Sequence, residues 1–191
     1  MKIRARYVAA MFAVAALVGL SAPGAVAQDQ PGVAKRSVSE LKPVKSDVAA
    51  QVISHIINNN SGKCLVDPGG STTAGEKLIQ WSCNDNYSSQ YWSLEDGFTD
   101  QNGDDWYHVV NAYSGQCLGV PGASTEAGLQ VIQWPCGNWP DHYWHFAEAN
   151  GLYQIVNYNS RQCLGIPGAS KDEGAAVIQW PCGNWADHYW R

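Results

Sequence analysis

Beyond residue 20 the chain has no apolar run long enough to cross a bilayer, which takes about 20 residues. It also lacks a basic excess, with 12 Lys and Arg against 17 Asp and Glu. Lys2, Arg4 and Arg6 fall in the first 27 positions, where no acid occurs, so the remainder carries nine basic against 17 acidic residues, a net −8. Phosphate backbones and anionic lipid surfaces both call for basic patches, so neither nucleic acid nor membrane is an expected partner. No segment sustains a 3.6-residue apolar period, which argues against a helical fold. The spacings that carry chemistry are missing as well. There is no Cys-x-x-Cys of a zinc site, no Gly-x-Ser-x-Gly elbow and no His-Glu-x-x-His helix. The acids Glu95, Asp96, Asp100, Asp104 and Asp105 do not follow EF-hand spacing and read as a solvated turn. His142 and His145, three apart on a strand, point to opposite faces. No catalytic group, metal or cofactor is expected.

What is present begins with a leader. The basic start, the apolar run from Tyr7 to Leu20 and the small residues Ala25 and Ala27 form the pattern of a secretory signal peptide over 1–27. The protein is therefore expected outside the cell. Residues 28–51 mix Gln, Pro, Lys, Ser and Val without periodicity, as a mobile linker or pro-segment would. About 140 residues remain, enough for one domain with a core.

Those residues repeat. The block from Val131 to Trp144 returns almost unchanged from Val177 to Trp190, and a looser copy runs from Leu78 to Trp92. Ahead of each copy stands an apolar strand and turn ending in Cys64, Cys117 or Cys163, then a Pro-Gly turn. Each unit (52–94, 106–147 and 152–191) thus holds about four short strands bounded by Asn, Ser, Gly and Pro turns, an all-β pattern. The cysteines recur 53 and 46 residues apart, and the surplus falls in the acidic stretch from Glu95 to Asp105. Three such units are too few for most propellers, so a closed three-fold barrel is expected.

Six cysteines allow 15 pairings, but the repeat selects one. Cys64 and Cys83, Cys117 and Cys136, and Cys163 and Cys182 each enclose 18 residues. An exported chain meets an oxidising compartment, where three intra-unit disulfides would persist, each stabilising by roughly 3 kcal/mol in the chain-entropy view.

A Cys-Leu strand with a Pro-Gly turn, a Gln-Trp-x-Cys strand and a closing aromatic strand, three times over, resemble the ricin B-type β-trefoil lectins of secreted bacterial proteins. The resemblance covers residues 52–191. It implies a twelve-strand β-trefoil, monomeric, that binds glycans in up to three shallow pockets without catalysis. Pockets of that family take a carboxylate just after Cys-Leu, an aromatic ring before the second Cys and an Asn before Gln-x-Trp. Here the ring is present as Trp81, Trp134 and Trp180. The carboxylate position holds Val66, Gly119 and Gly165, with Asp67 one residue later in the first unit. The Asn position holds Ser89, Asp141 and Asp187, so an acid stands across the pocket in units two and three. Trp139 and Trp185, beside Asn138 and Asn184, are candidates for a second wall. The first unit is the weaker candidate.

Plainer roles stand beside these. The three rings could cover the barrel flank, and the two acids could close their loops on backbone amides. His142 and His188 replace the Gln of Gln-x-Trp and are expected to make its hydrogen bonds. The terminal Trp92, Trp144 and Trp190 are expected in the core. A protein-binding or inhibitory trefoil using the same exposed loops is the alternative function.

Overall fold

The computed structural model describes residues 42–43 and 54–191. The signal peptide expected at 1–27, and all of the 28–51 linker except Lys42–Pro43, lie outside the described residues. Those two residues form a short strand, β1, antiparallel to Phe98 and Thr99 rather than a free linker.

The described residues are all-β with short 3-10 turns and no α-helix. Unit one contributes β2 (Ser54–His55), β3 (Cys64–Val66), β4 (Ile79–Trp81) and β5 (Tyr91–Thr99). Unit two contributes β6 (Asp105–Asn111), β7 (Cys117–Gly119), β8 (Ile132–Trp134) and β9 (Tyr143–Ala149). Unit three contributes β10 (Leu152–Asn157), β11 (Cys163–Gly165) and β12 (Ile178–Trp180). The fourth strand of unit three shrinks to two bridges from Trp190, one to Tyr153 within the unit and one to Asn58, which joins the last unit to the first.

The core gathers on the three-fold axis. Trp92, Trp144 and Trp190 are buried, and each indole N–H donates to a Cys-Leu carbonyl of its own unit, Leu65 at 3.0 Å, Leu118 at 2.9 Å and Leu164 at 3.2 Å. A buried Trp needs such a partner, and this one ties the closing strand to the second strand. Leu78, Val131 and Val177 close a ring around the axis: Leu78 N–H donates to Val131, Val131 to Val177 and Val177 to Leu78, at 3.0, 3.0 and 3.1 Å.

Two polar residues of each repeat lock one unit to the next. In the Ile-Gln-Trp strands the period of two turns the Gln inward and the Trp outward. The Gln80 amide donates to Ser170 and Asp172, Gln133 to Ser71 and Thr73, and Gln179 to Ser124 and Glu126. Asn58, Asn111 and Asn157, all buried, donate to the carbonyls of Asp187, Ser89 and Asp141, each in the preceding unit of the ring. Their Oδ1 atoms accept two amides of the following turn, the usual work of Asn at a turn. These six buried amides are thus satisfied, and the ring is closed by them.

The disulfides join Cys64–Cys83, Cys117–Cys136 and Cys163–Cys182, with Cα separations of 5.2, 5.0 and 4.9 Å. The acidic stretch is not merely a solvated turn. It extends β5 and β6 into a hairpin with a small aromatic core of Phe98, Trp106 and Tyr143, backed by Val156 and Tyr158. The Arg161 guanidinium lies 4.7 Å from the centres of the Trp106 and Tyr158 rings. Gly97 is required at the bulge there, since a Cβ would stand 2.6 Å from the Tyr107 ring.

Candidate functional site

Each third strand ends on a tryptophan that remains exposed: Trp81 at 47 %, Trp134 at 41 % and Trp180 at 42 %. Core packing alone would not leave three large rings at this exposure. Each ring is held from the side by a glycine of another unit: Trp134 on Gly75, Trp180 on Gly128, Trp81 on Gly174. All three glycines have positive φ, which suits Gly and leaves a flat seat for the indole. The loop glycines recur at matching places in the repeat, a signal the sequence reading passed over.

Around Trp180 the chain forms a cleft of about 380 Å³, bordered by Ile166, Pro167, Gly168, Ala169, Ile178, Trp185, Asp187 and His188. Trp180, Trp185 and Asp187 therefore meet as expected in one place. Asn184 instead accepts from the Tyr189 hydroxyl at 3.1 Å, and Asn138 from Tyr143 at the same distance. Unit two repeats the contacts. Trp139 and Trp185 are exposed, and their rings lie so tightly on Gly137 and Gly183 that no side chain fits there.

Asp187 sits at the back of the Trp180 cleft, and Asp141 takes the matching place in unit two. Asp141 and Asp187 are buried, and each Oδ2 accepts a backbone N–H across the unit, from Val120 and from Ile166, both at 3.2 Å. Burial pushes the Asp141 carboxyl up, and the Val120 amide works against that rise. Beside each acid lies a buried histidine, with Nε2 at 3.7 Å from the Asp Oδ2. These histidines do not inherit the bonds of the Gln they replace. Gln90 accepts from the Asn84 amide at 2.7 Å and donates to the Ser82 carbonyl at 3.0 Å. His142 Nδ1 and His188 Nδ1 have no hydrogen-bond partner among the described residues. Burial, then the nearby His108, hold His142 down at about 4, and burial lowers His188 while Asp187 opposes. The imidazole needs the space that Gly119 and Gly165 leave: a Cβ on either would stand 2.9 Å from the ring. The missing family carboxylate and the unusual histidine are thus one coupled change.

Unit one is built differently. Its cleft is larger, about 640 Å³, and is bordered by Val66, Asp67, Trp81, Asn86, Tyr87, Ser88, Ser89 and Tyr113 among others. Asp67 and Trp81 are brought to the same cleft. The aspartate, however, has no exposed surface and takes the place that Val120 and Ile166 fill in the core. Neither of its oxygens makes a well-formed hydrogen bond among the described residues; the Ser71 amide is near enough only to act on its charge. Burial, then the charge of Glu76, push it up to about 7, with the Ser71 amide opposing. Tyr113, which the sequence reading missed, comes from unit two and stands 52 % exposed. Its equivalents are Asn60 and Asn159, whose amides donate to Ala169 and Ala123 at 2.8 and 2.7 Å. Under Tyr113 the matching residue is Gly70, and a Cβ there would touch the tyrosine ring at 3.4 Å.

His55 lies near Cys64 and Cys83, but both sulfurs are spent in the disulfide.

A family model described as ricin-type beta-trefoil lectin domain-like matches residues 48–134, 88–180 and 140–191. No curated protein matches the chain. Among solved structures, the designed three-fold symmetric protein ThreeFoil is 31% identical, with a TM-score of 0.66 over 73% of this chain and 96% of its own. An exo-β-1,3-galactanase from Clostridium thermocellum is 26% identical with a TM-score of 0.66; the match spans 75% of this chain and 30% of the enzyme. The C-half of an earthworm R-type lectin, solved in complex with GalNAc, is 20% identical with a TM-score of 0.54 over 73% of this chain and 95% of its own, a likeness of fold alone.

Proposed function

The chain belongs to the ricin-type β-trefoil lectin domain-like family, and we propose that it is an exported, monomeric, non-catalytic module that binds glycans. The observation that carries this is the three-fold recurrence of an exposed tryptophan seated on a glycine beside short polar groups. A sugar presents a C–H face for such a ring and hydroxyls for the groups around it. Trp134 and Trp180 are the stacking rings, with Trp139 and Trp185 as second walls. Asp141 and Asp187 each spend Oδ2 on a backbone amide, and Oδ1 is assigned to a sugar hydroxyl. Bonds to a charged acceptor of that kind are worth about 1.5–3 kcal/mol. Asn138 and Asn184 lie at the rim, their Oδ1 engaged by tyrosine hydroxyls. Three disulfides accord with an oxidising destination.

A glycan array tests the reading. Binding to at least one glycan class is expected, and Trp134→Ala with Trp180→Ala should remove most of it. An array without a hit, from protein whose circular dichroism is native, would overturn the reading.

A further inference from the structure

The first cleft, about 640 Å³, is larger than the cleft of about 380 Å³ around Trp180. Its size comes from a pair of residues on two different units. Where units two and three carry Ala123 and Ala169, unit one has Gly70; where Asn159 and Asn60 cross from the next unit, Tyr113 crosses here. The two asparagines tie their amides to a carbonyl and close that edge. Tyr113 makes no such tie through its ring: it lies against the bare Gly70 turn and turns its exposed face to the cleft. The border of this cleft therefore holds three exposed rings, Trp81, Tyr87 and Tyr113, with Asn86, Ser88 and Ser89 between them. Among the described residues neither Lys nor Arg borders it, and its acid, Asp67, is buried. Alternating aromatic faces and short uncharged polar groups suit a neutral chain of sugars better than one terminal ring, because each successive unit finds a face to lie on and a hydroxyl partner.

We propose that Tyr113 extends the first cleft across the unit boundary, so that it holds at least two consecutive units of a neutral saccharide chain. The cleft at Trp180 and the matching surface at Trp134 each hold one. The inference rests on the glycan-binding reading and refines it: Tyr113 sets the length preference of the first site.

The test uses the intact protein and three oligosaccharide series, of galactose, xylose and N-acetylglucosamine, each from one to four units. Indole N–H resonances of Trp81, Trp134 and Trp180 report each site separately. For a series that binds, affinity read at Trp81 should rise about three- to tenfold from one unit to two, while Trp134 and Trp180 show no gain. Tyr113→Asn, which installs the residue of the other two units at an exposed position, should abolish the gain and leave the other two resonances in place as a check on folding. Equal affinity for all lengths at Trp81, an equal gain at all three sites, or a gain that survives Tyr113→Asn overturns the inference while glycan binding stands. If no series moves any indole resonance, glycan binding itself fails, and the inference with it.

Discussion

Unit one and its two sisters share a scaffold and differ in what they place beside the exposed tryptophan of the third strand. In units two and three a glycine vacates the strand after Cys-Leu, a histidine fills the space, and an aspartate is held by a backbone amide across the cleft. In unit one a valine keeps that place, Gln90 makes ordinary hydrogen bonds, and an aspartate is sunk into a core position, where only the Ser71 amide among the described residues offsets its burial. One three-fold frame thus carries two kinds of cleft. The frame tolerates this because its Asn locks take the backbone carbonyls of Asp187, Ser89 and Asp141, whatever side chain stands there, and the axial ring is likewise made of backbone bonds.

If the frame really is equal in the three units, removing its core rings should cost the same in each. Trp92→Ala, Trp144→Ala and Trp190→Ala should each lose about 3–5 kcal/mol in chemical denaturation. A much smaller loss at Trp92 would mean that unit one is a looser unit rather than an equal one with a different site.

The next effect separates the units. Asp67→Val restores the kind of residue found at Val120 and Ile166 and should stabilise the fold by about 1–3 kcal/mol at pH 8. The sign with pH follows from linkage. A carboxyl raised from 3.8 to about 7 contributes stability that is fully present below pH 3.8 and lost as pH rises through about 7. The advantage of the valine variant should therefore be largest above pH 7 and shrink towards pH 4. Glu76, which faces Asp67, adds to the effect while it is charged. An advantage independent of pH would show that the carboxyl is not the source.

The sisters should behave in the opposite sense. His142, held at about 4 beside His108 and Asp141, contributes stability present above pH 6.5 and lost as pH falls towards 4; His188, lowered beside Asp187, acts in the same direction. His142→Gln with His188→Gln should flatten the acid side of the stability profile by about 1–2 kcal/mol. Between pH 4 and 6.5 the two kinds of unit partly cancel, so the wild-type profile should be flatter than either set of variants predicts alone. Melts at several pH values on the three proteins check this.

Much of the frame was legible because repetition carries it. Three copies of Cys-Leu, Gln-Trp and a closing Trp mark the disulfides and the axial core, and the structure places them so. The sites were less legible, since a one-letter reading cannot say which face a side chain takes. Asp67 follows Val66 by one residue, and on a strand that moves it from the cleft face to the core face. Tyr113 belongs to unit two in sequence and to cleft one in space. The dependence of His142 on Gly119 is a fit between two strands, invisible until both are placed. The hairpin core of Phe98 and Trp106 was hidden by the acids around it.

The most direct measurement is a titration of the intact protein with a glycan that binds, followed at the indole N–H resonances of Trp81, Trp134 and Trp180. The account predicts that Trp134 and Trp180 respond together, with one affinity, and that Trp81 responds with a different one. Three rings moving in step would contradict two kinds of cleft, and three that never move would return them to the barrel wall.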